Sequence, residues 1–160
     1  FCNNRNISNK TSGTYNNAGY GMNPTIYGLE RYCNYANQGK HGPTLSCPLN
    51  DSFNVEGLNG NEKLTYPVGL ITMDEANMSG GINSSANSLY YLYNGQRYWT
   101  ISSAQFNSWF QADVSTITHI GELSNQFVGD RIGVRPVINL DPDKITFTGN
   151  GTMQDPYVIS

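Results

Sequence analysis

Three stretches decide how this chain is read: Tyr98-Trp99-Thr100, then Gly133-Val134-Arg135-Pro136-Val137-Ile138-Asn139-Leu140, then Gly149-Asn150-Gly151-Thr152 leading into Pro156-Tyr157-Val158-Ile159. The apolar runs are rich in β-branched and aromatic residues, which suit a pleated, half-buried surface. Between the first two lies a mostly polar stretch, residues 102–132, with weak internal regularity. Val134, Val137, Ile138 and Leu140 are therefore expected to pack as a frame, and the insert to have little packing duty. A loosely patterned insert on a firm scaffold is free to meet a partner.

Working outward, the chain reads as all-β from Leu89 onward. Residues 89–93 and 98–101 are expected to form a hairpin about Asn94-Gly95, the strongest short turn signal in the sequence. Residues 112–120 and 123–128 should pair across Gly121-Glu122, and residues 134–140, 145–148 and 157–159 should complete the sheet. Upstream, residues 64–71 read as a strand, with Pro67 at an edge or bulge position. Thr72 then caps a short helix with Asp74 and Glu75 in its first turn, ended by Ser79-Gly80-Gly81. A second short helix is expected at 27–35, capped by Thr25. Residues 1–24 read as a short strand followed by a loop, 38–43 as a turn, 44–48 as a brief extended piece and 49–62 as a polar loop, with Phe53 and Val55 dipping into the core. The fold class is thus α+β, one domain over 1–160: short helices on a mostly antiparallel, loop-rich sheet.

Composition narrows the function. Charged residues make up 13% of the chain, against about 25% in typical proteins. Polarity comes instead from 21 Asn, 14 Ser and 12 Thr, with 11 Tyr supplying most of the aromatic surface. Tyr offers a large rigid contact area while Asn and Ser adapt their hydrogen bonds, a mixture suited to binding surfaces. It equally suits a β domain that needs Asn and Gly for its turns. The net charge of −3 and scattered Lys and Arg argue against nucleic acid as a partner. No run approaches about 18 apolar residues, so no membrane contact is expected of this fragment. The chain opens at Phe1-Cys2-Asn3 without an initiator Met, and reads as the excised ectodomain of a longer protein.

The three cysteines, Cys2, Cys33 and Cys47, suggest one disulfide and one leftover thiol. Cys2–Cys47 would tie down the N-terminal arm, and Cys33–Cys47 would close a smaller loop. Adding His41 gives the three Cys and one His of a tetrahedral zinc site, although no C-x-x-C spacing supports it. Asp141-Pro142-Asp143 offers two carboxylates but no calcium-loop frame.

Several blocks, in order, carry a resemblance: Phe1 to Arg5, Thr44-Leu45-Ser46-Cys47-Pro48, Tyr66-Pro67-Val68-Gly69-Leu70-Ile71-Thr72-Met73-Asp74-Glu75, Tyr91 to Gly95, Tyr98-Trp99-Thr100 and Gly133 to Leu140. Together they resemble a group of poorly characterised bacterial surface domains, often found behind a pilin-like hydrophobic helix. The Gly-Val-Arg-Pro-Val block is also similar to the end of C-type-lectin-like domains of the formylglycine-generating-enzyme type. That fold hosts the variable proteins of diversity-generating retroelements. The resemblance attaches to Cys2 and Cys47 rather than Cys33, and so implies a Cys2–Cys47 disulfide. It implies a C-type-lectin-like core, and places the variable recognition face at about 104–132. The copper-binding cysteine pair of the formylglycine-generating enzymes has no counterpart, because no cysteine follows Cys47.

The candidate ligand-binding residues are Gln105, Asn107, Trp109, Phe110, Asn125, Gln126, Phe127, Asp130 and Arg131. Trp109 and Phe110 are adjacent, so in a strand at most one can face the core. Phe127 follows a polar run, and Asp130 and Arg131 bring both charges to the same rim. Arg135, inside an apolar strand, is expected to pair with Asp74 or Glu75 or with backbone carbonyls, and Trp99 to lie in the core. No catalytic residue, cofactor or metal is assigned: no Gly-x-Ser-x-Gly frame occurs, and nothing arranges the carboxylates as a glycosidase would need. The expected function is an extracellular ligand-binding or display domain on a bacterial cell surface or pilus, its ligand a protein or glycan. The rivals are a structural pilin-like subunit and, third, a surface enzyme.

Overall fold

The computed structural model describes residues 1–2, 25–26, 43–47, 52–55, 62–83, 85–106, 111–141, 143–152 and 154–159. Its main element is a five-stranded sheet in the order β1-β6-β7-β8-β5. These are β1 (Thr25–Ile26), β5 (Ile82–Asn83), β6 (Tyr98–Phe106), β7 (Ala112–Ile117) and β8 (Glu122–Phe127). The pairs β1–β6, β6–β7 and β7–β8 are antiparallel, and β5 joins β8 in parallel. The described residues are thus mixed helix and strand, mostly sheet, and form no closed barrel.

The turn expected at Gly121-Glu122 is present. Thr118 N–H donates to Glu122 O at 2.9 Å, and Gly121 takes φ +78. A side chain at Gly121 would be strained by that φ, and its Cβ would fall 2.2 Å from Asn87 O.

The helix α1 (Met73–Met78) packs on this sheet. Six residues are too few to hold a helix alone, and its ends are fixed by specific bonds. Thr72 Oγ1 accepts the Glu75 N–H at 3.0 Å, while Glu75 Oε2 accepts the Thr72 N–H at 2.8 Å. This is the reciprocal capping box expected from the sequence. Ser102 Oγ, from β6, accepts the Met73 N–H at 3.0 Å and ties the helix start to the sheet. Gly80, at φ +109, ends the helix. Met73 and Ala76 then meet Ile71, Tyr90, Tyr98, Ile117 and Leu123 in the core, with Leu92 and Val137 packed against it.

Much of the interior is hydroxylic. Thr100, Ser102, Ser115 and Thr116 are all buried, and a buried hydroxyl needs a partner. Thr100 Oγ1 donates to Ser115 O at 2.7 Å, and Ser102 serves the helix. Thr116 Oγ1 is buried with no partner among the described residues.

Several expectations are corrected. The stretch 102–132 does carry a packing duty: the strands expected at 112–120 and 123–128 are present as β7 and β8, and it also contributes most of β6. Ser115, Thr116, Ile117 and Leu123 are almost fully buried. Conversely, the supposed frame is largely exposed: Val134, Ile138 and Leu140 face solvent, and only Val137 joins the core. Residues 134–140 contribute β9 (Pro136–Ile138), which pairs not with the main sheet but with β4 (Val68–Leu70). Residues 145–148 and 157–159 form a separate ribbon, β10 (Phe147–Thr148) against β11 (Val158–Ile159). The expected strand 64–71 is shortened to Val68–Leu70, which starts just after Pro67, a residue with no N–H to give a ladder. Upstream of it Glu62–Lys63, β3, pairs in parallel with β2 (Phe53–Asn54).

Residues 89–93 are turns, not a strand. Leu89 N–H donates to Asn87 Oδ1 at 3.0 Å, and Tyr93 N–H to Tyr90 O at 2.9 Å. Asn94-Gly95 turns the chain into β6 rather than closing a hairpin. Asn94 Oδ1 accepts the Gln96 N–H at 3.0 Å. Trp99 is half-buried, and its neighbour Tyr98 takes the core position at 2% exposure. The expected helix at 27–35 lies outside the described residues.

Cys2 and Cys47 are joined by a disulfide, with their Cα atoms 5.8 Å apart. It pins the first residues beside Ser52, where the Phe1 ammonium donates to Phe53 O at 3.0 Å. Segment 43–47 is also held by α1, since Thr44 N–H donates to Asp74 Oδ1 at 2.9 Å. Such bonds belong to oxidising compartments. Cys33 and His41 lie outside the described residues. Among the described residues no three His, Cys, Asp or Glu side chains come together, and no helix is long and apolar enough to cross a membrane.

Candidate recognition face

The end of the sheet where β6 turns into β7 gathers the predicted site residues. A register shift between Ser103 and Gln105 places Gln105 opposite Asp113, whereas Ser103 sits opposite the adjacent Val114. Such a bulge re-aims a side chain. Here it brings Gln105 to the face of β7 that carries Asp113.

Asp113 is the hub. Its Oδ2 accepts Gln105 Nε2 at 2.6 Å and Asn125 Nδ2 at 3.0 Å. Only 9% of Asp113 is exposed, and a buried carboxylate requires such donors. Asp113 also stands directly opposite Phe127 in the β7–β8 register. One carboxylate thus fixes two carboxamides, one on each neighbouring strand, next to a ring that is 39% exposed.

A second cluster forms around Gln126. Arg97 Nη1 donates to Gln126 Oε1 at 2.8 Å, and Gln126 Nε2 donates to Asp130 Oδ2. Asp130 is held in turn by its N–H, which donates to Phe127 O at 3.0 Å. Gly129 lies against the Phe127 ring, where an added Cβ would stand 2.5 Å from a ring carbon. Arg131 is exposed, with no hydrogen bond or ion pair among the described residues.

The structure therefore brings Gln105, Asn125, Gln126, Phe127, Asp130 and Arg131 to one end of β6–β8. Asn107, Trp109 and Phe110 lie outside the described residues. Sequence reading missed Asp113 and Arg97 as members of the cluster. The signal for Asp113 was its place inside a strand, two residues before Ser115 and four before Ile117, on a face that turns out to be the buried one.

Arg135 is not part of this face. Its Nη1 donates to Leu92 O at 2.5 Å, and the guanidinium lies 5.4 Å from the centroid of the Tyr98 ring. Of the alternatives weighed for it, the backbone carbonyl is the one realised. Nearby, Tyr90 Oη and Tyr98 Oη are 3.3 Å apart. Burial first, and then the Tyr98 hydroxyl, push the Tyr90 phenol well above its usual range, so it stays neutral. The block Gly133–Pro136 docks next to this network. Trp99 N–H donates to Gly133 O, and Gly133 N–H to Arg97 O, both at 3.0 Å. A Cβ on Gly133 would stand 2.8 Å from Arg97 O, which explains a glycine there.

Among the described residues two other hollows occur. One, of about 290 Å³, is lined mostly by apolar residues, among them Phe1, Phe53, Leu64 and Leu140, with Asn54, Asn139 and Asp141 beside them. A smaller one, of about 50 Å³, lies between the disulfide and the start of α1. Comparison with protein-family models, with curated proteins and with solved structures finds no match to this chain.

Proposed function

We propose that this is an extracellular, non-catalytic ligand-binding domain of a bacterial surface or pilus, with a C-type-lectin-like core and its recognition face on residues 104–132. One observation carries the reading: the side chains of Gln105, Asn125 and Phe127 are gathered around Asp113 on three paired strands, next to exposed Asp130 and Arg131. Carboxamides held by fixed partners, an exposed ring and charges of both signs suit recognition of a protein or glycan. No cofactor enters this reading. The disulfide supports an oxidising, extracellular setting.

The test is a screen of the wild-type domain against arrayed glycans and surface proteins, repeated with Phe127→Ala and Arg131→Ala. Both side chains are exposed, so each change should alter stability by no more than about 0.5 kcal/mol while weakening capture. Ligands that bind both variants as tightly as wild type would move the site elsewhere.

A second reading, a structural subunit, draws on different residues. Val68 and Ile138 face each other across the β4–β9 ribbon and are 48% and 59% exposed. Tyr157 and Phe147 stack edge to face on the β10–β11 ribbon, and both are exposed. Self-association abolished by Ile138→Lys and untouched by Phe127→Ala would favour it.

A further inference from the structure

The outer edge of β8 is only half used. Along the β7–β8 ladder, Thr118 N–H donates to Glu122 O and Val128 N–H to Ala112 O, with an unbroken register between them. In an antiparallel pair, hydrogen-bonded and non-bonded residues alternate. Glu122, Ser124, Gln126 and Val128 therefore turn their backbone groups toward β7. Leu123, Asn125 and Phe127 turn theirs away.

On that outer side, among the described residues, β5 pairs with Glu122 and Leu123. Its chain then turns back, since Asn87 N–H donates to Ile120 O at 3.0 Å. The Phe127 carbonyl is taken by the Asp130 N–H. What remains without a partner among the described residues is the N–H and C=O of Asn125 and the N–H of Phe127. Residues 124–127 carry no charge, proline or bulge, the features by which proteins blunt an open edge.

We propose that this edge captures an extended peptide segment of a partner, which adds to β8 where β5 leaves it. The inference rests on the recognition-face reading above and names the chemistry of its ligand. Its ground is the spacing of the open groups. Donors two residues apart on a strand repeat at about 6.8 Å, the repeat of another extended backbone and not of a sugar ring. The Phe127 ring, on the same face as Asn125, gives an apolar side chain of the incoming strand a place to rest. The edge spans only about four residues, roughly 14 Å, which fits a short linear segment and is too little to join two folded copies.

The probe is a displayed library of linear heptapeptides, selected on the wild-type domain. Asn125→Pro deletes the outward N–H and leaves the β7 ladder intact, because proline is tolerated where its N–H would face solvent. Selected peptides should bind this variant about tenfold or more weakly, in line with loss of backbone hydrogen bonds. A library that yields no binder, or binders indifferent to Asn125→Pro, would overturn the proposal.

Amide exchange on the wild-type protein covers the case in which that variant fails to fold. Without peptide, the Asn125 and Phe127 amides should exchange quickly and the Ser124 and Gln126 amides slowly. With peptide, the first two should become protected. Slow exchange of Asn125 and Phe127 in the free protein would mean that the edge is already covered, and the idea would fall. Binding lost in Phe127→Ala but kept in Asn125→Pro would leave the recognition face standing and remove edge capture. Binding lost in Asn125→Pro but kept in both Asn125→Ala and Phe127→Ala would keep edge capture and remove the side-chain face.

Discussion

Replacing Asp113 by Ala tests whether the proposed recognition face is held rigid by its own polar bonds. The carboxylate accepts from Gln105 and Asn125 while only 9% exposed. Hydrogen bonds to a charged group contribute about 1.5–3 kcal/mol each. Two effects reduce the sum. Both carboxamides are half-buried, so they recover some water when the acceptor goes, and removal also relieves the cost of burying a charge. The expected net loss is about 2–3 kcal/mol. Asp113→Asn keeps an acceptor oxygen and loses only the charge, so about 1 kcal/mol is expected. For a chain of this size each kcal/mol moves the melting temperature by about 2–4 °C, so Asp113→Ala should melt roughly 5–10 °C lower. Urea denaturation of the single and double variants with Asn125→Ala would give the coupling, expected at about 1 kcal/mol. A loss in Asp113→Ala below about 0.5 kcal/mol, with no coupling to Asn125, would refute the idea of a pre-set face.

Removing the Cys2–Cys47 bond, by reduction or by Cys2→Ser with Cys47→Ser, should lower stability by about 4 kcal/mol on the chain-entropy model, read by urea titration. Mass spectrometry of unreduced peptides should recover the Cys2–Cys47 link. Thr72→Ala breaks the capping box and should cost about 1 kcal/mol, whereas the same change at exposed Thr65 should be nearly silent. Tyr90 keeps its proton when folded but loses it near its ordinary pKa of about 10 when unfolded. Its contribution is therefore full below pH 10 and declines as pH rises beyond it, so a stability-pH profile of Tyr90→Phe should fall less steeply there.

The parts of the fold legible in the sequence were those fixed by local chemistry. Thr72, Glu75 and Gly80 specify α1 by capping, and Gly121 specifies the β7–β8 turn; each works within a few residues. What failed was the inference from hydrophobicity to packing. Val134, Ile138 and Leu140 look like core, yet Ile138 stands on a two-stranded ribbon where a side chain must face solvent on one side, and Val134 and Leu140 flank that ribbon and are exposed. Ser115 and Thr116 look like surface, yet they sit on the central strand with a neighbour on each edge. In this protein, topology decides burial more than side-chain polarity does. Hydroxyls enter the interior because backbone carbonyls and the helix start receive them, as Thr100 and Ser102 show.

The same reasoning explains why part of the candidate face was readable and its organiser was not. Gln105, Asn125, Phe127 and Asp130 stand out as polar or aromatic residues beside turns, and the structure gathers them. Asp113 draws no notice in a sequence because a lone acidic residue ordinarily marks a loop or an exposed strand position. It becomes the hub only through a register shift at Ser103–Gln105 that no local pattern announces. Without that shift the strict alternation of β6 would send Gln105 to the face of Trp99, Ile101 and Ser103, away from Asp113. The register shift therefore sets Gln105, and not Ala104, opposite Asp113. Deleting Ala104 should accordingly leave Gln105 opposite Asp113 in a regular ladder, so the Asp113–Gln105 coupling measured by a double-mutant cycle should persist in the deletion together with the Asp113–Asn125 coupling; loss of the first alone would refute this register.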